Sequence, residues 1–365
     1  MNRLTLVILI LGLLWLSNQV ITDIVRESAF LDYARGWANI SVFLMAFYAI
    51  LRLIDFREDR AIWFFAGLTC SGLIKYIYFP HPNVQFDPWK WGLAGPVAGI
   101  FILVSYGLWK IKRCYLAAVM PLLFGLLSIY LGARSAGLVA ILAGLIIAIS
   151  TYQTKTKTTQ GKYGRHLNIW KFIILTCLIL AVIYKGYGFL AHNGYLGWNA
   201  QYIYDIQSSG KYGLLLGGRV EILASIEAIK DSPFIGHGSW AKNPKYKAYL
   251  QQLNNLGYNT VKMPWLDDSD LIPTHSYLFG AWVNAGIAGA IFWCFILWLV
   301  IRSILLIINR YHPLTPLIAF MATTSLWAII FSPFGSDERV KFAFALVLLL
   351  QPFAITVNKQ VAVKS

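Results

Sequence analysis

Apolar residues along this chain gather in long unbroken runs, not in alternating or one-faced patterns. The runs cover residues 4–20, 37–51, 61–79, 91–109, 114–131, 135–149, 169–190, 276–301, 314–331 and 340–357. A membrane-spanning helix needs about 20 such residues, with a range of about 17–25. The pattern predicts an all-α fold: a polytopic transmembrane helical bundle of about ten helices, forming a single integral membrane domain over residues 1–365. The second and sixth runs are short, so the pattern leaves their ends open. One polar segment is too long to be a connection. Residues 192–274 form the candidate soluble module within the domain, and loops of this size are usually functional. Residues 151–165, rich in Lys, Thr and Gln, read as a flexible loop.

Composition sharpens this picture. Hydrophobic residues make up 58% of the 365 and charged residues 13%, against about 25% charged in an ordinary soluble domain. The formal net charge is +15. The basic residues sit in short clusters between apolar runs, which excludes a nucleic-acid surface and matches the positive-inside rule. With the N-terminus inside, the short cytoplasmic segments receive 15 Lys/Arg and the opposite short loops receive Arg26, Arg35, Lys90, Arg134 and Arg339. That bias places both termini in the cytoplasm and residues 192–274 outside. The first run follows Met1-Asn2-Arg3, as in a signal peptide, but Ser17-Asn18-Gln19 follows it with no small-x-small cleavage site. An uncleaved helix is expected. Three of the four cysteines lie within apolar runs and Cys114 lies at the edge of one, so neither a disulfide framework nor a Cys zinc site is expected.

A few polar residues stand where charge is unfavourable. Arg134, in Gly132-Ala133-Arg134-Ser135, lies in a tight turn between two apolar runs on the outer side and should have an anionic partner; the plain alternative is snorkelling to lipid phosphate. Ala136, Ala140 and Gly144 follow as a small-residue stripe that lets this helix pack closely on a neighbour. Arg219 opens residues 220–230, an amphipathic helix ended by Asp231-Ser232-Pro233. A guanidinium in a first helical turn suits a phosphate group; the alternative is pairing with Glu221. His275 directly precedes the run that begins at Ser276. At a helix start the imidazolium is disfavoured, so a neutral ring able to take a proton is plausible there; the alternative is an interfacial histidine with a structural hydrogen bond. His237 lies in a Gly236-His237-Gly238 turn and is structural or substrate-adjacent. Lys75, Lys185 and Lys341, near ends of their runs, either widen a basic substrate-binding pocket or snorkel. Asp268 and Asp270 are spaced to share a hard cation, but no other ligand is implied, and no metal is expected.

Three strings in order carry a family resemblance. Arg219-x-x-x-Leu223 followed by Asp231-Ser232-Pro233-Phe234-Ile235-Gly236-His237-Gly238 resembles the long-loop signature of the bacterial O-antigen ligase and polymerase superfamily. So does His275-Ser276-Tyr277-Leu278 followed by Asn284-Ala285-Gly286-Ile287-Ala288-Gly289, and Gly132-Ala133-Arg134-Ser135 resembles the family's upstream arginine. The likeness spans roughly residues 115 to 300. The resemblance implies a GT-C-type glycosyltransferase of the bacterial cytoplasmic membrane. Its donor is a polyprenyl-pyrophosphate-linked glycan, and its acceptor is another glycan or a lipid A core. It implies no cofactor and no metal, with the lipid bilayer as a partner.

On that reading Arg134 and Arg219 stabilise the pyrophosphate leaving group, and His275 is the general base on the acceptor hydroxyl. A single displacement would invert the anomeric centre. A non-enzymatic lipid-linked glycan flippase or transporter is the main alternative; interrupted helices and mid-membrane charges would mark it. A structural partner of a polysaccharide machine would not require Arg134, Arg219 and His275 to converge.

Overall fold

A computed structural model describes residues 3–160, 169–208, 220–256 and 270–362. Each of the ten apolar runs is helical: α1 (Arg3–Val25), α2 (Phe30–Ile54), α3 (Glu58–Tyr78), α4 (Ala94–Lys110), α5 (Cys114–Tyr130), α6 (Arg134–Gln160), α7 (Ile169–His192), α11 (Tyr277–Asn309), α12 (Thr315–Phe331) and α13 (Glu338–Ala362). Among the described residues of the polar segment lie three further helices: α8 (Trp198–Ser208), α9 (Glu221–Asp231) and α10 (Pro244–Asn255). Among the described residues, six helical segments are long and apolar enough to cross a membrane: α1, α2, α3, Trp89–Lys110, Arg134–Thr154 and α11. The helices α5 and α12 are apolar but shorter, at 17 residues each.

The two short runs belong to longer helices, with 25 residues in α2 and 27 in α6. The first two turns of α2 pack on the polar module. There Asp32 pairs with Lys242 at 3.5 Å. A Cβ on Gly36 would collide with the Ser239 hydroxyl. The helix α6 packs closely on α5, as its small residues predict. Cβ atoms added at Gly137 and Gly144 would lie 2.6 Å from Gly125 O and 2.9 Å from Ala118 O, and Ala140 is buried against Phe124. Gly137, one position beyond Ala136, makes the close backbone approach.

The described contacts sort the helix ends into two faces. On one face Trp109 donates to His312 O at 3.0 Å, Ser150 to Ile307 O at 2.6 Å, and Lys110 to Glu58 at 2.5 Å. On the other, Asn39 donates to Phe334 O at 3.1 Å, Lys75 pairs with Asp337, and the end of α1 meets residues 232–239. Consecutive helices alternate between these faces, and the polar module sits on the second. Between them lies an aromatic core. Trp15, Phe43, Tyr277, Phe292, Trp293, Phe334 and Phe342 have neighbouring ring centroids 5.0–6.3 Å apart. Trp15 and Ile8 pack α1 into that core.

The run 276–301 does not form one straight span. The helix α11 breaks at Gly286, whose φ of 61° and ψ of −152° are not helical. The Tyr277 ring lies 5.0 Å from that of Trp293, sixteen positions later, where a straight helix would separate them by about 24 Å. A Cβ on Gly289 would lie 2.5 Å from Ala281 O. Residues 277–285 therefore fold back along 287–309 as a helical hairpin with Gly286 at its tip.

Candidate functional site

The hairpin tip is where the polar module docks. The backbone of 232–238 runs into the break: His237 N–H donates to Val283 O at 2.7 Å, Gly238 N–H to Asn284 O at 3.1 Å, and Ile287 N–H to Phe234 O at 3.2 Å. Both sides need glycine. Gly236 has φ of 90° and a Cβ there would lie 2.6 Å from Gly286 N. The Gly236-His237-Gly238 turn is a fixed joint.

One face of α1 closes the joint from the other side. Asn18 donates to Ala285 O, Gln19 to Asn284 O at 3.4 Å and Thr22 to Ile235 O at 2.5 Å. Arg26 donates to Gly236 O at 3.1 Å and to the Ser232 hydroxyl at 2.8 Å. Asp23 is buried at 2% exposure. It accepts from Ser239 N–H at 2.6 Å, Ser239 Oγ at 2.7 Å, Ser28 Oγ at 2.8 Å, Trp37 Nε1 at 2.8 Å and Gln19 Nε2 at 3.2 Å. A buried carboxylate is tolerated only with such a full set of donors. These residues occupy consecutive turns on one face, and that polar stripe in an apolar helix is the sequence signal for the joint.

His275 lies in the extended stretch between module and bundle. Ile272 N–H donates to Ala241 O at 2.9 Å, and Ser225 of α9 donates to Pro273 O at 2.9 Å. On its other side, Ser276 caps α11 by accepting from Phe279 N–H at 3.2 Å and donates to Ile329 O of α12 at 2.7 Å. The half-buried histidine is thus held from both neighbours, one turn outside the first half of the hairpin.

The other sequence candidates fall into groups. Lys75 pairs with Asp337, and its hydrogen bond holds that carboxyl below the usual carboxylate range, aided by Lys341 and His81. Lys341 pairs with Glu338 at 3.2 Å. This cluster belongs to the segment whose Phe334 and Phe342 pack on Tyr277, two residues from His275. Arg134 belongs to a second group: its guanidinium stacks 5.5 Å over the Tyr187 ring, which packs on Tyr204 of α8. Lys185 is exposed on α7, two positions before Tyr187. Arg219 and Asp268 lie outside the described residues; α9 begins two positions after Arg219.

His237 is half-buried. Its Nε2 lies 2.7 Å from Ala228 O, and its ring packs edge-on against Tyr246, 5.6 Å away. Burial lowers its pKa. Its ring is committed to the end of α9, as is Asp231, which Lys245 and Tyr246 approach at 2.6 Å each. Among the described residues no group of His, Cys, Asp or Glu could hold a metal ion. Asp270 pairs with Lys247 at 3.9 Å. No protein-family model, curated protein or solved structure matches this chain.

Proposed function

We propose that the chain is a bacterial membrane glycosyltransferase of the O-antigen ligase and polymerase class, acting on the non-cytoplasmic face. The observation that carries the reading is the seat of His275 at the head of a hairpin, between a polar module and the membrane bundle. On this reading all ten apolar helices cross the membrane, both termini are cytoplasmic and residues 192–274 are outside, as the charge bias requires. Lysine and arginine groups on that face suit a pyrophosphate.

The reaction follows from the residues. The acceptor hydroxyl gives its proton to His275 as its oxygen attacks the anomeric carbon. The bond from that carbon to the carrier oxygen breaks, and polyprenyl pyrophosphate leaves with the electron pair. Arg134 and Arg219 take up the developing charge through bidentate contacts, so activity survives chelation. His237 and the joint around Gly286 position the module.

The test is transfer from purified polyprenyl-pyrophosphate glycan. Arg134→Ala and Arg219→Ala should each abolish most transfer with membrane insertion intact, and lysine replacements should rescue only in part. Near-normal turnover in either alanine variant removes that arginine from the site. A second reading, a lipid-linked glycan transporter, gains from the break in α11, since interrupted helices mark transporters. The break here is filled by the chain's own backbone and by α1, which favours the enzyme. Translocation of carrier-linked glycan in proteoliposomes without transfer would reverse that preference.

A further inference from the structure

Glu221 opens α9 and is only 7% exposed. Its Oε2 is buried and has no hydrogen-bond partner. Among the described residues it is the one ionisable group in that condition. A buried polar atom without a partner is costly and calls for an explanation, and a carboxylate is the costliest kind to leave unpaired. By contrast Asp23, the other carboxylate buried on this face, has five donors.

Its surroundings say what it waits for. Residues four apart share a helix face, and Ser225 lies one turn on from Glu221. The Ser225 hydroxyl bridges Glu221 O at 3.0 Å and Pro273 O at 2.9 Å. Glu221 therefore flanks the extended stretch that carries His275. A carboxylate accepts hydrogen bonds and repels phosphate. Of the substrates' parts, only the sugars offer donors to it.

We propose that Glu221 is a sugar-binding residue, its free carboxylate oxygen taking a hydrogen bond from a glycan hydroxyl beside His275. This rests on the transferase reading for the identity of the ligand. The hydroxyl belongs either to the acceptor or to the carrier-linked donor.

Binding titrations on the full-length protein in nanodiscs test it, with transfer left out of the readout. The three probes are the oligosaccharide released by mild acid from the host's envelope glycolipid, the carrier-linked glycan, and bare undecaprenyl pyrophosphate. Glu221→Gln and Glu221→Ala should weaken one sugar-bearing probe tenfold or more and leave the bare pyrophosphate unchanged. Which probe weakens identifies the sugar. The ligand-free Tm of Glu221→Ala should hold or rise, because that substitution removes an unsatisfied buried group. Unchanged sugar binding, no sugar binding by the wild type, an equal loss for bare pyrophosphate, or a fall in that Tm would overturn the proposal. An equal loss for bare pyrophosphate would mean that Glu221 positions a phosphate-binding group, and a fall in Tm that it is structural. A wild type that binds sugar through Glu221 yet transfers none would sink the transferase reading alone.

Discussion

Gly286→Ala is the substitution whose outcome the structure fixes most tightly. Gly286 has φ of 61° and ψ of −152°, a region open essentially to glycine alone, and forcing another residue there costs roughly 1–3 kcal/mol. The new methyl would stand 2.1 Å from Phe234 O and 2.5 Å from Phe234 C. Backbone cannot swing away as a side chain does, so the 232–238 loop must lift. Lifting breaks three hydrogen bonds, from His237 N–H, Gly238 N–H and Ile287 N–H, each contributing about 0.5–1.5 kcal/mol. The local loss is then roughly 3–7 kcal/mol, against a whole-domain stability of about 5–15 kcal/mol. Residues 287–309 stay packed through Phe292, Trp293 and Ile296, all fully buried. The expected result is an undocked module on an intact bundle.

Hydrogen exchange read by mass spectrometry resolves this. Amides of residues 234–239 and 283–288 should lose protection by about 100-fold or more, since each 1.4 kcal/mol is tenfold, while α12 keeps its protection. Gly236→Ala should do the same from the other side, because its φ is 90° and its Cβ would meet Gly286 N at 2.6 Å. Gly107→Ala is the control: nothing lies within 4 Å of its Cβ, and a helical glycine-to-alanine change is stabilising or neutral. Unchanged protection in Gly286→Ala, or equal loss throughout the chain, would refute the joint.

The remaining predictions address chemistry, topology and pH. His275→Ala should lose turnover far more than donor binding, and His275→Lys or Arg should not restore it; substantial rescue by a cation would make His275 a phosphate ligand instead. A cysteine introduced as Gln160→Cys should resist an impermeant thiol reagent applied to intact cells, and labelling there would invert the topology. His312, at 5% exposure between α11 and α12, is pushed down to about 4 because burial excludes its charged form. Its Nδ1 accepts Leu314 N–H at 3.1 Å, which a protonated ring cannot do. Its folded value lies below the unfolded one of about 6.5, so its stabilising share is whole above that pH and is lost as pH falls towards about 4. The share is roughly 3 kcal/mol at full loss. Tm should be flat near pH 7–8 and fall below about 6.5, and His312→Asn should shallow that fall; an unaltered slope would remove His312 from the cause.

Much of the fold was legible because a membrane helix announces itself by unbroken hydrophobicity, which needs no partner to interpret. That same feature hid the hairpin. Residues 276–301 are apolar on both sides of Gly286, so nothing in the run marks a reversal, and Asn284-Ala285-Gly286 reads as one more small-residue step. The strings 231–238 and 284–289 were each visible, but their contact is tertiary: they meet because Gly236 and Gly286 lie back to back. The α1 stripe was readable in principle, since Asn18, Gln19, Thr22, Asp23 and Arg26 repeat at helical spacing where an anchor would be apolar. Glu221 stood out in the sequence only as a partner for Arg219, because a first-turn carboxylate is ordinary helix chemistry and only burial makes it unusual.

The joint also bears on how the site works as a unit. The hairpin segment 277–285 starts two residues after His275 and ends at the break where the module docks. Its first residue is fixed by Trp293 and Phe334, and its last by Asn18 and the 232–238 loop. A segment of nine residues pinned at both ends has little freedom to move His275 independently of the module. Lifting the loop frees one end, so Gly286→Ala should lower transfer even though no atom of Gly286 touches a candidate catalytic group. A transporter needs the opposite property, a break that opens and closes between two states. Here the broken backbone is met by three loop hydrogen bonds and two side chains of α1, an arrangement that favours one state and suits the fixed geometry of a displacement reaction.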